Sequence, residues 1–327
     1  MAARLAASIL ALAAGAAGIV VAVLLLRSEP SPPSSGVSST AAAPVATAPA
    51  VAGGRIPTPT SPGFPSPPPG AVVFAREAGV RALGLAIVPG GSTPLVRVSV
   101  LSGEGPGASG LRVTLVADGR STSLPACGAG CYQAEVPQGD LRGRVTVRLN
   151  GAPYPFELPA RLRLPDGTST VEHAGDVWRA LKTLVWHERL AATPTDALFT
   201  TYSAVAPDEL AYTIRGHSAS IIIGLRRWDR ATPTSRWVVS VQNPPVRQPV
   251  PFWAGVADAH VLASGTVGGR PVWDVTFFDP ITPAWFEARI DKASGRTLVL
   301  DMITVAHFMH HVYGPFDAPF RLHPPRT

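Results

Sequence analysis

Between residues 71 and 159 apolar and polar side chains alternate with a period of two. The runs Leu95-Val96-Arg97-Val98-Ser99-Val100-Leu101, Leu111-Arg112-Val113-Thr114-Leu115-Val116, Tyr132-Gln133-Ala134-Glu135-Val136 and Arg144-Val145-Thr146-Val147-Arg148-Leu149 each turn one face inward and one outward, as half-buried strands do. Breaks such as Gly103-Glu104-Gly105-Pro106-Gly107 and Asp118-Gly119 separate them. Short strands with regular turn signals predict an immunoglobulin-like β-sandwich over 71–160.

Past residue 171 the period lengthens. Val177, Leu181, Leu184 and Val185 fall on one stripe at helical spacing, which predicts a helix over 176–190. Seven strand patterns follow, over 210–215, 220–228, 236–242, 260–267, 271–278, 285–291 and 296–305. Gly268-Gly269 reads as a two-residue hairpin turn and Lys292-Ala293-Ser294-Gly295 as a four-residue one. One helix followed by an antiparallel meander predicts a sheet curled around that helix, an α+β half-barrel over 161–327. The fold class is therefore mainly β.

The N-terminus belongs to neither domain. Residues 5–26 carry no charge and lie between Arg4 and Arg27. That length suits a bilayer, which needs about 20 apolar residues, better than a signal-peptide core of about 7–15. An uncleaved transmembrane signal anchor over 1–27 is the expectation, with a cleaved signal peptide as the alternative. Residues 28–70 hold 12 of the 35 prolines amid Ser, Thr, Ala and Gly, the composition of a disordered, semi-extended stalk. The expected location is the cell membrane, single-pass, with the bulk of the chain extracytoplasmic.

Composition changes this picture little. The hydrophobic fraction is 46%, the charged fraction 15% and the net charge +6, which argues against disorder of the whole. All cations except Lys182 and Lys292 are arginine, scattered with no run longer than Arg226-Arg227. A nucleic-acid footprint needs clustered cations, so that partner is set aside. Cys127 and Cys131 are the only cysteines, set in Cys127-Gly128-Ala129-Gly130-Cys131. Four zinc ligands are not available from them, and a local disulfide in an oxidising compartment is preferred over two buried thiols.

Several motifs carry a family likeness: Arg226-Arg227-Trp228, Arg236-Trp237, Asp279-Pro280, Pro283-Ala284-Trp285-Phe286, Ile290-Asp291, and Met302 with His307-Phe308-Met309-His310-His311-Val312-Tyr313. Together they resemble the extracytoplasmic C-terminal region of bacterial CopD-type copper-resistance membrane proteins. The sandwich with Cys127-Gly128-Ala129-Gly130-Cys131-Tyr132 resembles the domain before it, so the likeness spans roughly 71–325. The chain departs from the larger members in having one apolar spanning stretch, which weighs against direct copper transport. More distantly, the helix and meander resemble the half-barrel of LolA-type lipoprotein carriers, which hold acyl chains between sheet and helix.

Candidate chemistry concentrates at the C-terminus. Met302, His307, Met309, His310 and His311 supply thioether and imidazole, ligands that suit copper. The competing reading makes the methionines packing residues and the histidines surface groups. Seven tryptophans all lie beyond residue 176, and Trp237 and Trp273 are the expected lining of a ligand cavity, if the rings are not simply core. There is no GxSxG, HExxH or phosphate loop, and His187-Glu188 lacks the second histidine of a zinc protease. The sequence thus reads as a membrane-anchored, non-catalytic binding protein beside copper-handling membrane proteins, with copper as its ligand; a lipid carrier using the half-barrel is the alternative.

Overall fold

A computed structural model describes residues 65–326, apart from 104, 106, 194 and 306. The expected anchor over 1–27 and residues 28–64 of the stalk lie outside the described residues. Among the described residues no helix is long and apolar enough to cross a membrane. Residues 65–70 run along the first sheet: Arg97 Nη1 donates to Ser66 O at 3.1 Å and Ser99 Oγ to Pro65 O at 2.7 Å.

The first half is a two-sheet sandwich. β1 (Val72–Ala78), β2 (Arg81–Val88), β3 (Leu95–Leu101), β7 (Cys131–Glu135) and β6 (Ala126–Gly128) pair antiparallel in that order. Opposite lie β5 (Arg120–Leu124), β4 (Val113–Ala117), β8 (Arg144–Leu149) and β9 (Ala152–Glu157). Leu83, Leu85, Val98, Leu115, Val145 and Val147 fill the space between them. Tyr132 ties a loop to this core, its hydroxyl donating to Ala108 O at 2.8 Å. Cys127 and Cys131 form a disulfide across the β6–β7 turn.

β1 and β2 escape the alternation seen elsewhere, for a physical reason. β2 is buried on both faces, so its sequence Leu83-Gly84-Leu85-Ala86-Ile87 has no polar side to show. Its second face, with Ala82 and Ala86, packs together with Val73 of β1 against Phe278, Trp285 and Phe308 of the second half. Gly84 makes this contact possible, because a Cβ there would lie 2.4 Å from Trp285 Cζ2. Gly84→Ala should therefore destabilise the chain by about 1–3 kcal/mol, read as a lowered midpoint in urea. An unchanged midpoint would mean that the Trp285 ring has room to move.

The second half begins with α1 (Thr168–Ala180), which buries Val171, Ala174 and Trp178. Asp166 Oδ1 accepts from Thr168 N at 2.8 Å, covering one of the free N–H groups of the first turn. The expected helix over 176–190 is thus corrected. Leu181 is already extended, and β10 (Thr183–Ala191) follows at once. Neither glycine nor proline separates the two, so the stripe Val177, Leu181, Leu184, Val185 straddles a helix end and a strand. Pairing on both sides, with β11 (Ala197–Val205) and β20 (His307–Phe316), decides the matter for β10.

Eleven strands form one antiparallel sheet. Its order is β15 (Val238–Val241), β14 (Arg226–Arg230), β13 (Ala219–Ile223), β12 (Glu209–Ile214), β11, β10, β20, β19 (Thr297–Thr304), β18 (Ala284–Asp291), β17 (Arg270–Asp279) and β16 (Ala257–Val267). The Gly268-Gly269 hairpin forms as expected, with both residues at positive φ. The single strand expected over 220–228 is instead two, because Gly224 at φ +59° turns the chain and pairs Ile223 with Arg226. Seven strand spacings of about 4.8 Å separate β13 from β17, yet Ile222 and Val275 belong to one core with α1. The sheet therefore curls around the helix. β15 ends the sheet on one side; on the other, β16 is bridged to the segment before α1, with Gly167 N donating to Ala259 O at 2.9 Å and Val261 N to Pro165 O at 3.0 Å.

Candidate functional site

Alternation sorts the middle strands onto two faces. The face toward α1 carries Trp186 and Glu188 from β10, Tyr202 from β11, and Met309, His311 and Tyr313 from β20. Glu188 and His311 are register partners, as are Trp186 and Tyr202. Glu188 is 5% exposed and His311 fully buried.

These groups satisfy one another in a chain. Tyr202 Oη donates to Glu188 Oε1 at 3.1 Å. The other carboxylate oxygen lies 2.8 Å from His311 Nε2, and His311 Nδ1 lies 2.6 Å from Tyr313 Oη. With Nε2–H donating to Glu188, Tyr313 donates to Nδ1 and the imidazole is complete. Burial, then the nearby Glu188 carboxylate, holds the Tyr202 and Tyr313 hydroxyls well above the ordinary phenol range. Both imidazole nitrogens are engaged, and neither partner is a serine or cysteine that a base could activate. Rings enclose the chain: Trp186 stacks on Tyr202 at 4.6 Å, Trp178 meets Tyr313 edge-on at 4.7 Å, and Phe252 meets His311 at 4.5 Å. Trp186 Nε1, inside this enclosure, has no hydrogen-bond partner among the described residues.

The polar row continues toward the β15 edge. Arg227 Nη2 donates to Tyr212 Oη at 3.3 Å, and its Nε contacts Asp229 at 2.8 Å. Tyr212 lies 5.7 Å from Tyr202, ring to ring. One side of the inner face is thus polar, while Phe277, Phe286, Met302 and Met309 make the other apolar.

Phe252, which meets His311, lies outside any named strand or helix. Residues 242–256 join β15 to β16 without regular structure and send Val246, Phe252 and Trp253 into the core. Segments of that length without elements of their own are uncommon and often serve as lids. One buried carboxylate latches the segment. Asp279 Oδ2 accepts from Ala254 N at 2.7 Å, and Oδ1 accepts from Gly255 N at 3.0 Å, Ile281 N at 2.8 Å and Thr282 N at 3.1 Å. Burial raises the Asp279 carboxyl above its ordinary range, although these four donors pull it down.

The five C-terminal candidates do not share one place. Met302 and Met309 are cross-strand partners, both 5% exposed, in the inner core. His311 belongs to the buried network. His310 lies on the opposite face, its Nδ1 2.7 Å from Asp301 Oδ1. His307 opens β20 with Nδ1 3.0 Å from Val305 O. Neighbours on a strand point to opposite faces, so the run His310-His311 divides between them. Among the described residues no group of three or more His, Cys, Asp or Glu side chains is placed to hold a metal ion. Met309→Ala should cost about 2–3 kcal/mol as a core truncation, measured by urea unfolding; a neutral change would point away from packing.

The expected cavity lining also falls elsewhere. Trp273 is 37% exposed, with Lys292 Nζ 3.6 Å from its ring centroid, and Trp237 lies beside the edge strand with Arg230 over its ring at 4.8 Å. The inner-face tryptophans are Trp178, Trp186 and Trp253. Glu188, Tyr202 and Tyr313 were not legible as a site, because a helix over 176–190 hides the alternation that sends Trp186 and Glu188 the same way.

The outer face carries a second charged group. Glu287 pairs in register with Asp301, and the two line a cleft of about 440 Å³ bordered by Phe74, Arg76, Glu77 and Trp285, with Asp274 acting on Glu287 from nearby. Partial burial, then Asp274 and Asp301, raises Glu287 from 4.5 to about 7. Through that window the folded chain holds more protons than the unfolded one, so stability falls as pH rises. Glu287→Gln should accordingly raise the melting temperature at pH 8 and give no gain at pH 4. An equal gain at both would exclude ionisation as the cause.

No protein-family model matches the sequence, and no curated protein matches it. Among the solved chains that match, three are each similar to about half of this chain. LprF from Mycobacterium bovis aligns at 7% identity and TM-score 0.38, covering 50% of this chain and 100% of its own. A LolA superfamily protein from Nitrosomonas europaea aligns at 9% identity and TM-score 0.24, covering 49% and 96%. A DUF1329 family protein from Desulfovibrio piger aligns at 8% and 0.25, again covering 49% and 96%. The likeness is loose at these scores.

Proposed function

We propose that the chain is a non-catalytic, extracytoplasmic carrier of an amphiphile, an acyl chain with a polar head, held on the inner face of the half-barrel. The observation that carries this reading is the buried Trp186 Nε1–H, left without an acceptor among the described residues and packed against Phe252 of the irregular segment. Buried donors are nearly always paired, and an exception calls for a reason. If residues 242–256 lift, the apolar side of the face receives the tail where Phe252 and Trp253 now sit. A carbonyl oxygen of the head then accepts from Trp186. The disulfide supports a location outside the cytoplasm, where the anchor over 5–26 would tether the chain and the immunoglobulin-like sandwich would hold the carrier off the bilayer.

Copper fits this face less well. Met302, Met309 and His311 would have to leave their packing, and His311 would have to release Glu188 or Tyr313 before it could ligate.

The test is displacement of a fluorescent apolar probe, N-phenyl-1-naphthylamine, from the full chain in detergent-free vesicles. Monoacyl esters should displace it better than an alkane of equal length, and Trp186→Phe should remove that preference. Failure of the probe to bind both wild type and Phe252→Ala would refute the carrier.

A further inference from the structure

We propose that the β13–β15 end of the half-barrel docks on an anionic lipid surface. β15 is an edge strand and all four of its residues are exposed: Val241 to 77%, Val238 to 65% and Val239 to 58%. Leu225, in the turn between β13 and β14, is 56% exposed and lies alongside, since Gln242 N donates to its carbonyl at 2.9 Å. A strand exposed on both faces stands clear of the core beneath it. Free edges of this kind are ordinarily guarded by charge on the strand itself, and an apolar one marks an interaction site.

The side chains around the patch indicate its partner. Arg226 is the register partner of Val241, and Arg236 lies two residues before Val238. Both are exposed, and among the described residues neither forms an ion pair. Trp237 borders the same edge, under Arg230. Of the nearby acids, Asp229 is held by Arg227 at 2.8 Å, Glu209 faces Ile223 one strand further in, and Asp208 sits beside Gly224. An apolar tip flanked by unpaired arginines and a tryptophan suits the headgroup boundary of an anionic bilayer, where guanidinium meets phosphate and the ring sits at the interface. Pairing β15 with β15 of a second copy would run along only four residues, so the bilayer is the favoured occupant.

The inference needs only the edge and stands apart from the carrier reading. Its test uses the full chain in vesicles of phosphatidylcholine with or without phosphatidylglycerol. Val239→Cys is labelled with a polarity-sensitive fluorophore, the native cysteines being bonded to each other, and spin-labelled lipid is the quencher. Quenching should occur in the anionic vesicles, weaken with salt, and fall about fivefold in bound-to-free ratio for each of Arg226→Gln and Arg236→Gln. A label at Ser121→Cys, exposed on β5, should stay unquenched. No quenching at position 239 would overturn the proposal, as would quenching indifferent to both arginines and to salt. Shielding of the label that follows protein concentration without lipid would also overturn it, and would assign the edge to a second copy.

Discussion

His311→Ala should lower the stability of the chain by about 3–5 kcal/mol, the usual cost of stranding one member of a buried charged or hydrogen-bonded pair. The substitution removes the donor facing Glu188 Oε2 and the partner of Tyr313 Oη together, in a region with no water-exposed escape. Glu188 would keep only the Tyr202 hydroxyl. Replacing both residues of the pair, as in Glu188→Leu with His311→Leu, should cost less than His311→Ala alone, because no polar atom is then left without its partner. Urea unfolding of the single and double variants measures the difference. A single variant within about 1 kcal/mol of wild type would show that the network contributes little, and that Glu188 finds another partner readily.

Asp279→Ala should have an effect of similar size, about 3–4 kcal/mol, from four backbone N–H groups losing one shared acceptor at about 1 kcal/mol each. Two of those donors, Ala254 and Gly255, end the segment that covers the inner face. The variant should therefore bind the apolar probe more tightly than wild type while melting earlier. These two changes in opposite directions distinguish release of a cover from general loosening, which would weaken both. Asp279→Asn, able to accept through one oxygen only, should fall between. If probe affinity drops in step with stability, the segment is ordinary core and no lid.

Some features of the fold could be read along the chain because their cause is local. The two glycines at 268–269 adopt positive φ without steric cost, so the hairpin needs nothing distant to form. The cysteines stand four apart with glycines between them, and the short β6–β7 turn brings them together. The half-buried strands β4 and β8 show one face to solvent, which writes their period into the sequence.

Other features depended on what lies across the sheet. β2 is covered on both sides, and its apolar run is then equally compatible with a strand or a short buried helix. β10 carried a stripe that fits the end of α1, and only its register with β11 and β20 makes it a strand. That same register brings Glu188 opposite a histidine 123 residues away and sets His310 and His311 on different faces. The sequence by itself determined the run of short strands followed by a helix and an antiparallel meander, and the disulfide turn. Which side chains meet was decided only by tertiary structure, because one residue of register moves a side chain from the core to the opposite face, and register is set by partners far away in the chain.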